Sequence, residues 1–287
     1  MSVHMYRQIQ RNLQLLAVSI VLGGVCGAQT TNLPANSVPD LRHYFEDLVQ
    51  QYEPSRFPPE QALRVAKRIA SLTSGQISEL LPAVFDALSH PNQRVQTYAA
   101  EALVAISHHG DSAALLSSRI SEISRLLDSS DEELQNGAVV ILSRLRPTPP
   151  QSILKPLVTF LSRSDRSPRA QVSAIWTLVR IAPTDVEVEA EVNRYMAKPL
   201  QMEEKIDILH ALGIPSVALS RPLMEKVIAA LEDPEPAVRK TAIASVARIG
   251  PVAINLAKPQ LQAIAKRSTE DRDVRQSAEV ALQSVAK

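Results

Sequence analysis

The chain has 287 residues, with 31 Lys plus Arg against 30 Asp plus Glu. That near-neutral balance argues against a nucleic-acid binder, which needs a basic stripe. Aromatic residues make up 3% of the sequence and there is one cysteine, so neither an aromatic-rich core nor a disulfide framework is available.

In chain order, residues 1–28 come first. Arg7 and Arg11 precede an almost unbroken apolar run, Leu13 to Val25, and Cys26 and Ala28 stand at −3 and −1 for a cut after Ala28. This pattern resembles a secretory signal peptide. The run is too short for a membrane span, which needs about 20 apolar residues. Val25 before Cys26 argues against a lipoprotein signal. Export to the periplasm or the outside is the expectation. Cleavage would remove the only cysteine and leave 29 basic residues against 30 acidic ones.

Residues 29–39 are polar and read as a disordered lead-in. Residues 40–52 read as a helix with Leu41, Tyr44, Phe45, Leu48 and Val49 on one side, and 57–72 as another. We expect 40–75 to cap the N-terminal end of residues 76–287. The clustering of Tyr44, Phe45, Tyr52 and Phe57 also fits a docking surface.

From residue 76 onward the sequence repeats itself. The segments "HPNQRVQTYAAEALVAI", "SSDEELQNGAVVILSRL", "DRSPRAQVSAIWTLVRI", "KPLQMEEKIDILHALGI", "DPEPAVRKTAIASVARI" and "EDRDVRQSAEVALQSV" align on Val95, Leu134, Ala170, Met202, Val238 and Val274. The steps are 39, 36, 32, 36 and 36 residues. Apolar residues recur at i, i+4 and i+7/i+8, one face of a helix. A second amphipathic segment precedes each, at 77–88, 119–128, 153–163, 188–197, 221–233 and 259–267. Pro82, Pro156, Pro222 and Pro259 are expected near helix starts, where a missing N–H costs nothing. Gly213 and Gly250 are expected to end second helices. A helix pair of this size cannot bury both its stripes alone, so neighbours must stack.

The 233–250 stretch closely resembles the second half of a HEAT repeat: Asp233 and Pro234 in the turn, Val238 and Arg239 opening the helix, Ala242 at its packing position. Residues 76–109 and the last unit match well, while Ala170, Met202 and Ile206 depart from the pattern. The resemblance implies an all-α fold, a right-handed superhelix of the HEAT/armadillo type with about six helical hairpins over 76–287. It also implies that the second helices line the concave side, a surface for a protein or peptide partner.

Chemistry is hard to find. The adjacent His108 and His109 have no third ligand nearby in sequence, so no metal site is expected. No His–Glu pair, G-x-S-x-G, H-E-x-x-H, phosphate loop or dinucleotide loop occurs. No cofactor is expected, and the chain reads as a non-enzyme. An enzyme on a helical-repeat scaffold and a structural subunit of the cell envelope are the alternatives.

The surface signal is basic. Ten residues past the alignment points stand Ala105, Arg144, Arg180, Leu212, Arg248 and Ser284. Arg144, Arg180 and Arg248 share a register and form a row that fits partner carboxylates. Basic residues near helix C-termini also simply favour the helix dipole. Trp176 is the remaining candidate, either buried between units or an exposed anchor. Arg239 and Arg275 are expected to pair with Asp233 and Asp271 across their own turns.

Overall fold

The computed structural model describes residues 38–109, 112–145, 150–214 and 218–284. The expected signal peptide and most of the lead-in lie outside them. All described regular structure is helical, and the fold is an all-α right-handed solenoid of helix hairpins. Two compact units are present, divided between Ser112 and Ala113.

The first unit holds α1 (Val38–Gln50), α2 (Pro59–Ile69), α3 (Ser74–Leu88) and α4 (Gln93–Ser107). Helix α1 packs on α3, and α2 on α4. Residues 40–72 therefore stack as the repeats do. Tyr44, Phe45, Phe57 and Tyr98 are buried, and their rings meet edge-to-face or stacked, with Tyr52 joining at the margin. The Tyr98 hydroxyl donates to the Phe57 carbonyl at 3.0 Å. The aromatic cluster is thus the unit's interior. The Thr73 and Gln76 capping box starts α3.

The second unit contains α5 (Ser112–Ser117), α6 (Ile120–Arg125), α7 (Glu132–Arg144), α8 (Pro150–Ser162), α9 (Pro168–Ile181), α10 (Val186–Met196), α11 (Met202–Leu212), α12 (Arg221–Ala229), α13 (Pro236–Ile249), α14 (Pro251–Lys266) and α15 (Arg272–Gln283). Helices α6, α8, α10, α12 and α14 form one layer, each packed on the next, and α7, α9, α11, α13 and α15 form the other. Two first helices tighten into 3-10 turns, Leu126–Asp128 and Ala230–Glu232. Ala138, Ala174, Ala242 and Ala278 are fully buried, and such small residues let the second helices approach closely.

Three prolines depart from expectation. Pro82, Pro156 and Pro259 lie inside α3, α8 and α14 rather than at their starts, because α8 begins at Pro150 and α14 at Pro251. Each removes the N–H that would serve the carbonyl four residues back. Those residues are Ser78, Ser152 and Asn255, all exposed, so water can take the donor's place. Pro222 does stand in the first turn of α12.

One alignment shifts as well. In five second helices the third helical residue is the buried alignment point: Val95, Leu134, Ala170, Val238 and Val274. In α11, which begins after Gln201, that place is held by Glu204, with Ile208, Leu209, Ala211 and Leu212 buried behind it. Met202 and Ile206, which the sequence aligned there, are only half-buried. A charged residue hides the true register. Glu204 is tolerated because its carboxylate accepts from the Gln201 N–H at 2.9 Å and the Tyr195 hydroxyl at 3.2 Å. Burial and Glu204 together push the Tyr195 hydroxyl well above its ordinary pKa, so it stays a donor.

Gly213 is needed for space rather than for backbone freedom. A Cβ there would lie 2.6–2.8 Å from Ser245 Oγ, Cβ and Cα. The Ser245 hydroxyl donates to the Leu209 carbonyl at 2.7 Å, fixing α13 against α11. Gly250 is different. Its φ of 107° lies in the region that only glycine enters freely, and it turns α13 directly into α14.

Candidate concave-face binding surface

Each second helix of the second unit has two ends with different chemistry. At the N-terminal end, the residue after the alignment point bonds to the turn in α7, α9, α13 and α15, while in α11 Lys205 pairs with Asp233 of the next repeat. Gln135 donates to the Ser129 carbonyl at 2.7 Å, and Gln171 to the carbonyls of Leu161 and Arg163. Arg239 donates to the carbonyls of Asp233 and Pro234 at 2.7 and 2.9 Å, and Arg275 to that of Ser268 at 3.1 Å. Gln96 does the same in the first unit, to the His90 carbonyl at 2.8 Å. The expected pairs of Arg239 with Asp233 and Arg275 with Asp271 do not form. The Asp233 carboxylate instead takes Lys205 at 2.7 Å and the Glu235 N–H, and Asp271 caps α15. A short carboxylate is better placed for its own nearby N–H groups than for a guanidinium already on backbone oxygens.

The same turns link neighbouring repeats. Arg166 reaches the Asp128 carboxylate at 2.9 Å, and the Gln135 side chain accepts from the Ser167 N–H at 3.1 Å. Arg239 forms a short ion pair with Glu270, which also meets Arg267 and the Asp271 N–H. The Glu270 side chain is only 1% exposed, and the hydrogen bond from Arg239 holds its carboxyl below the usual carboxylate range.

The C-terminal ends carry the predicted row. Arg144, Arg180 and Arg248 are exposed at the same position of α7, α9 and α13. Arg180 Nη2 donates to the Ser143 carbonyl at 2.7 Å, on the preceding second helix. Arg248 Nη1 lies 3.3 Å from His210 Nδ1, again on the preceding second helix. Partial burial lowers the Arg144 pKa. With α11 correctly aligned, Ile214 rather than Leu212 falls in this row.

Trp176 is half-buried on α9, and its position on α11 is occupied by His210. Asp207 lies one turn before His210. Burial, then Glu203, pushes the Asp207 carboxyl up to about 6, and burial, then Arg248, pushes the His210 imidazole down to about 4. From the sequence both read as surface groups, or one of them as packed against the next unit; the structure half-buries both. A shallow, open cavity of about 470 Å³ lies elsewhere, lined by Ser117, Ser121, Ser124, Ser152 and Pro156 among others, and includes none of these residues. His109 Nε2 sits 3.2 Å from the Ile69 carbonyl, a packing role. Among the described residues, no group of three or more His, Cys, Asp or Glu is placed to hold a metal. None of their helices is long and apolar enough to cross a membrane.

Two stretches, residues 80–110 and 223–253, match the family model described as HEAT repeat. They cover the α3–α4 and α12–α13 hairpins. The chain is a HEAT/armadillo-like α-solenoid. Solved structures agree on this fold. A HEAT-like repeats protein from the archaeon Thermococcus onnurineus NA1 matches with a TM-score of 0.53 at 14% identity, over 89% of this chain and 98% of that one. An engineered protein matches with a TM-score of 0.50 at 19% identity, over 86% of this chain and 68% of that one. No curated protein matches by sequence. HEAT-repeat solenoids are generally non-catalytic and generally associated with protein or peptide binding.

Proposed function

We propose that this HEAT-repeat chain is an exported scaffold that binds a protein or peptide along the exposed stripe of its second helices. Arg144, Arg180 and Arg248 grip partner carboxylates, and Trp176 supplies an apolar contact beside them. One observation carries the reading: Arg180 and Arg248 are each anchored to the preceding second helix, at 2.7 and 3.3 Å, while staying exposed. A guanidinium has five N–H donors in a rigid fork, so anchoring one of them pre-orients the solvent-facing edge for a carboxylate. Export rests on the resemblance of residues 1–28 to a signal peptide.

Binding of labelled poly-glutamate to the full chain at low salt tests the reading, with poly-lysine as the control. Replacing the three arginines together by Gln should weaken poly-glutamate binding about tenfold or more. The same variant should unfold within about 1 kcal/mol of the parent, because exposed pairs contribute little. Unchanged affinity in the triple variant overturns the proposal.

A further inference from the structure

The outer side of α14 differs from those of α8, α10 and α12 in the same layer. Those helices expose charged or hydroxyl side chains: Lys155 and Thr159, Glu187 and Arg194, and the Arg221–Glu225 ion pair. Helix α14 instead exposes Val252, Leu256, Pro259 and Ala263. Val252 is 64% and Leu256 40% exposed. The other exposed large aliphatics among the described residues are Leu63, Val186 and Val280, each on a different helix.

At 3.6 residues per turn, the four α14 residues fall within about 60° of one another around the helix. The buried residues of α14, from Ala253 to Ile264, centre about 140° away and pack on the rest of the unit. The stripe is therefore no part of the solenoid's own core. Covering it would release apolar surface from water.

The order of the stripe says what covers it. It reads i, i+4, i+7, i+11, so the intervals are four, three and four in either chain direction. Laid antiparallel on a second copy, every member meets a member. Val252 faces Ala263 of the other copy, and Leu256 faces Pro259, about a two-fold axis between positions 257 and 258. Each larger side chain meets a smaller one, which lets the two rows interdigitate. Charge agrees with this direction. Helix α14 has no acidic residue, and its cations are Lys258 and Lys266. Lys258 lies about 130° from the stripe, and antiparallel packing sends the two Lys266 side chains to opposite ends of a helix about 24 Å long. A parallel pair would bring them together. A head-to-tail contact would need a second stripe, and neither Leu63 nor Val186 has another exposed large aliphatic on its helix.

We infer that α14 is the seat of an isologous, antiparallel dimer of this chain. The contact lies in the first-helix layer and the arginine row on the second helices, so the dimer does not depend on the proposed partner and offers two rows to it. One helix pair makes a small interface, and micromolar association is expected.

Sedimentation velocity of the full chain over about 1–200 µM tests it. The mass should rise with concentration from the 31.4 kDa of one chain to twice that value and stop there. Ala263→Glu sets a carboxylate against Val252 of the other copy and should weaken dimerisation about tenfold or more. Adding Val252→Lys should restore it, because Lys and Glu then face each other across the two-fold axis. In a parallel pair the same double variant would oppose like charges and stay monomeric. Both positions are exposed, so circular dichroism should not change. A parent that stays monomeric, one that grows beyond two chains, or a dimer indifferent to Ala263→Glu overturns the inference. So does a double variant that fails to recover. A monomeric parent that sediments with anionic lipid vesicles would assign the stripe to a membrane surface and overturn the dimer as well.

Discussion

Arginine serves opposite purposes at the turns that start the second helices and at the C-terminal ends of those helices. At the turn end, Arg166 and Arg239 are nearly enclosed, with side chains 4% and 11% exposed, and the terminal nitrogens of their guanidinium groups donate to carbonyls and carboxylates of stacked turns, while each Nε is buried without a hydrogen-bond partner. At the other end, Arg144, Arg180 and Arg248 remain exposed. A guanidinium enclosed by its own chain's acceptors holds repeats together, whereas one that is anchored yet exposed still has an edge to offer. Charge alone does not separate these roles. Burial does.

The strongest way to break this comparison is to remove one arginine from each end. Arg239→Ala leaves Glu270 buried, with only Arg267 at 3.4 Å and the Asp271 N–H at 3.1 Å. Stability should fall by about 3 kcal/mol, the usual result of stranding a buried charge. Arg248→Ala should cost less than about 1 kcal/mol. Urea unfolding followed by Trp176 fluorescence reads both, since Trp176 is the only tryptophan and lies in the same unit. Equal losses would end the distinction. The sign with pH comes from the depressed Glu270 pKa. Its contribution is present above the unfolded carboxyl value, about 4.3, and is lost as pH falls through the lower folded value. The Arg239→Ala deficit should therefore shrink in acid.

Between the two ends, close approach of backbones replaces charge. Gly213→Ala forces a Cβ to within 2.8 Å of the Ser245 backbone and should destabilise by about 2 kcal/mol. Gly75→Ala, early in α3 with nothing within 4 Å of the added Cβ, should have the opposite sign and stabilise by about 0.5 kcal/mol. Thermal unfolding of the two variants checks both signs. A Gly213→Ala protein as stable as the parent would show that α11 and α13 can separate without penalty.

Most of the architecture was legible because apolar spacing and small packing residues survive in nearly every unit. The exceptions have physical causes. Glu204 holds a place where aliphatics are the rule, and only its capping bond and Tyr195 make that tolerable, so pattern reading slid two residues to Met202. Pro259 was read as a helix start because proline usually is one, yet an exposed Asn255 carbonyl lets the helix run through it. The arginine row was visible as a column of like residues. Its anchoring to Ser143 and His210 was not, since contacts between repeats depend on stacking distances that sequence does not carry. Asp207 and His210 were visible as neighbours on one helix, but their half-burial depends on the same stacking.

That half-buried pair gives the subtlest expectation. In the folded chain the Asp207 carboxyl titrates at about 6 and the His210 imidazole at about 4, both displaced mainly by burial. Their ordinary values are 3.8 and 6.5, so at pH 5 the folded state holds its proton on Asp207 and the unfolded state on His210. Each state binds one proton, and the pair leaves stability nearly flat with pH between about 4 and 6. Single substitutions uncover the two halves. In Asp207→Asn only the histidine remains; the unfolded state binds more protons, and stability should rise with pH across this window. In His210→Gln only the aspartate remains; the folded state binds more, and stability should fall. Both groups are half-buried, so solvent screening reduces each change to about 1–2 kcal/mol across the window. Urea midpoints at pH 4 and pH 6, the two folded values, are enough to measure it. Slopes of the same sign in the two variants, or none in either, would mean that the second-helix face does not desolvate these groups, and that its centre is as open as the arginine end.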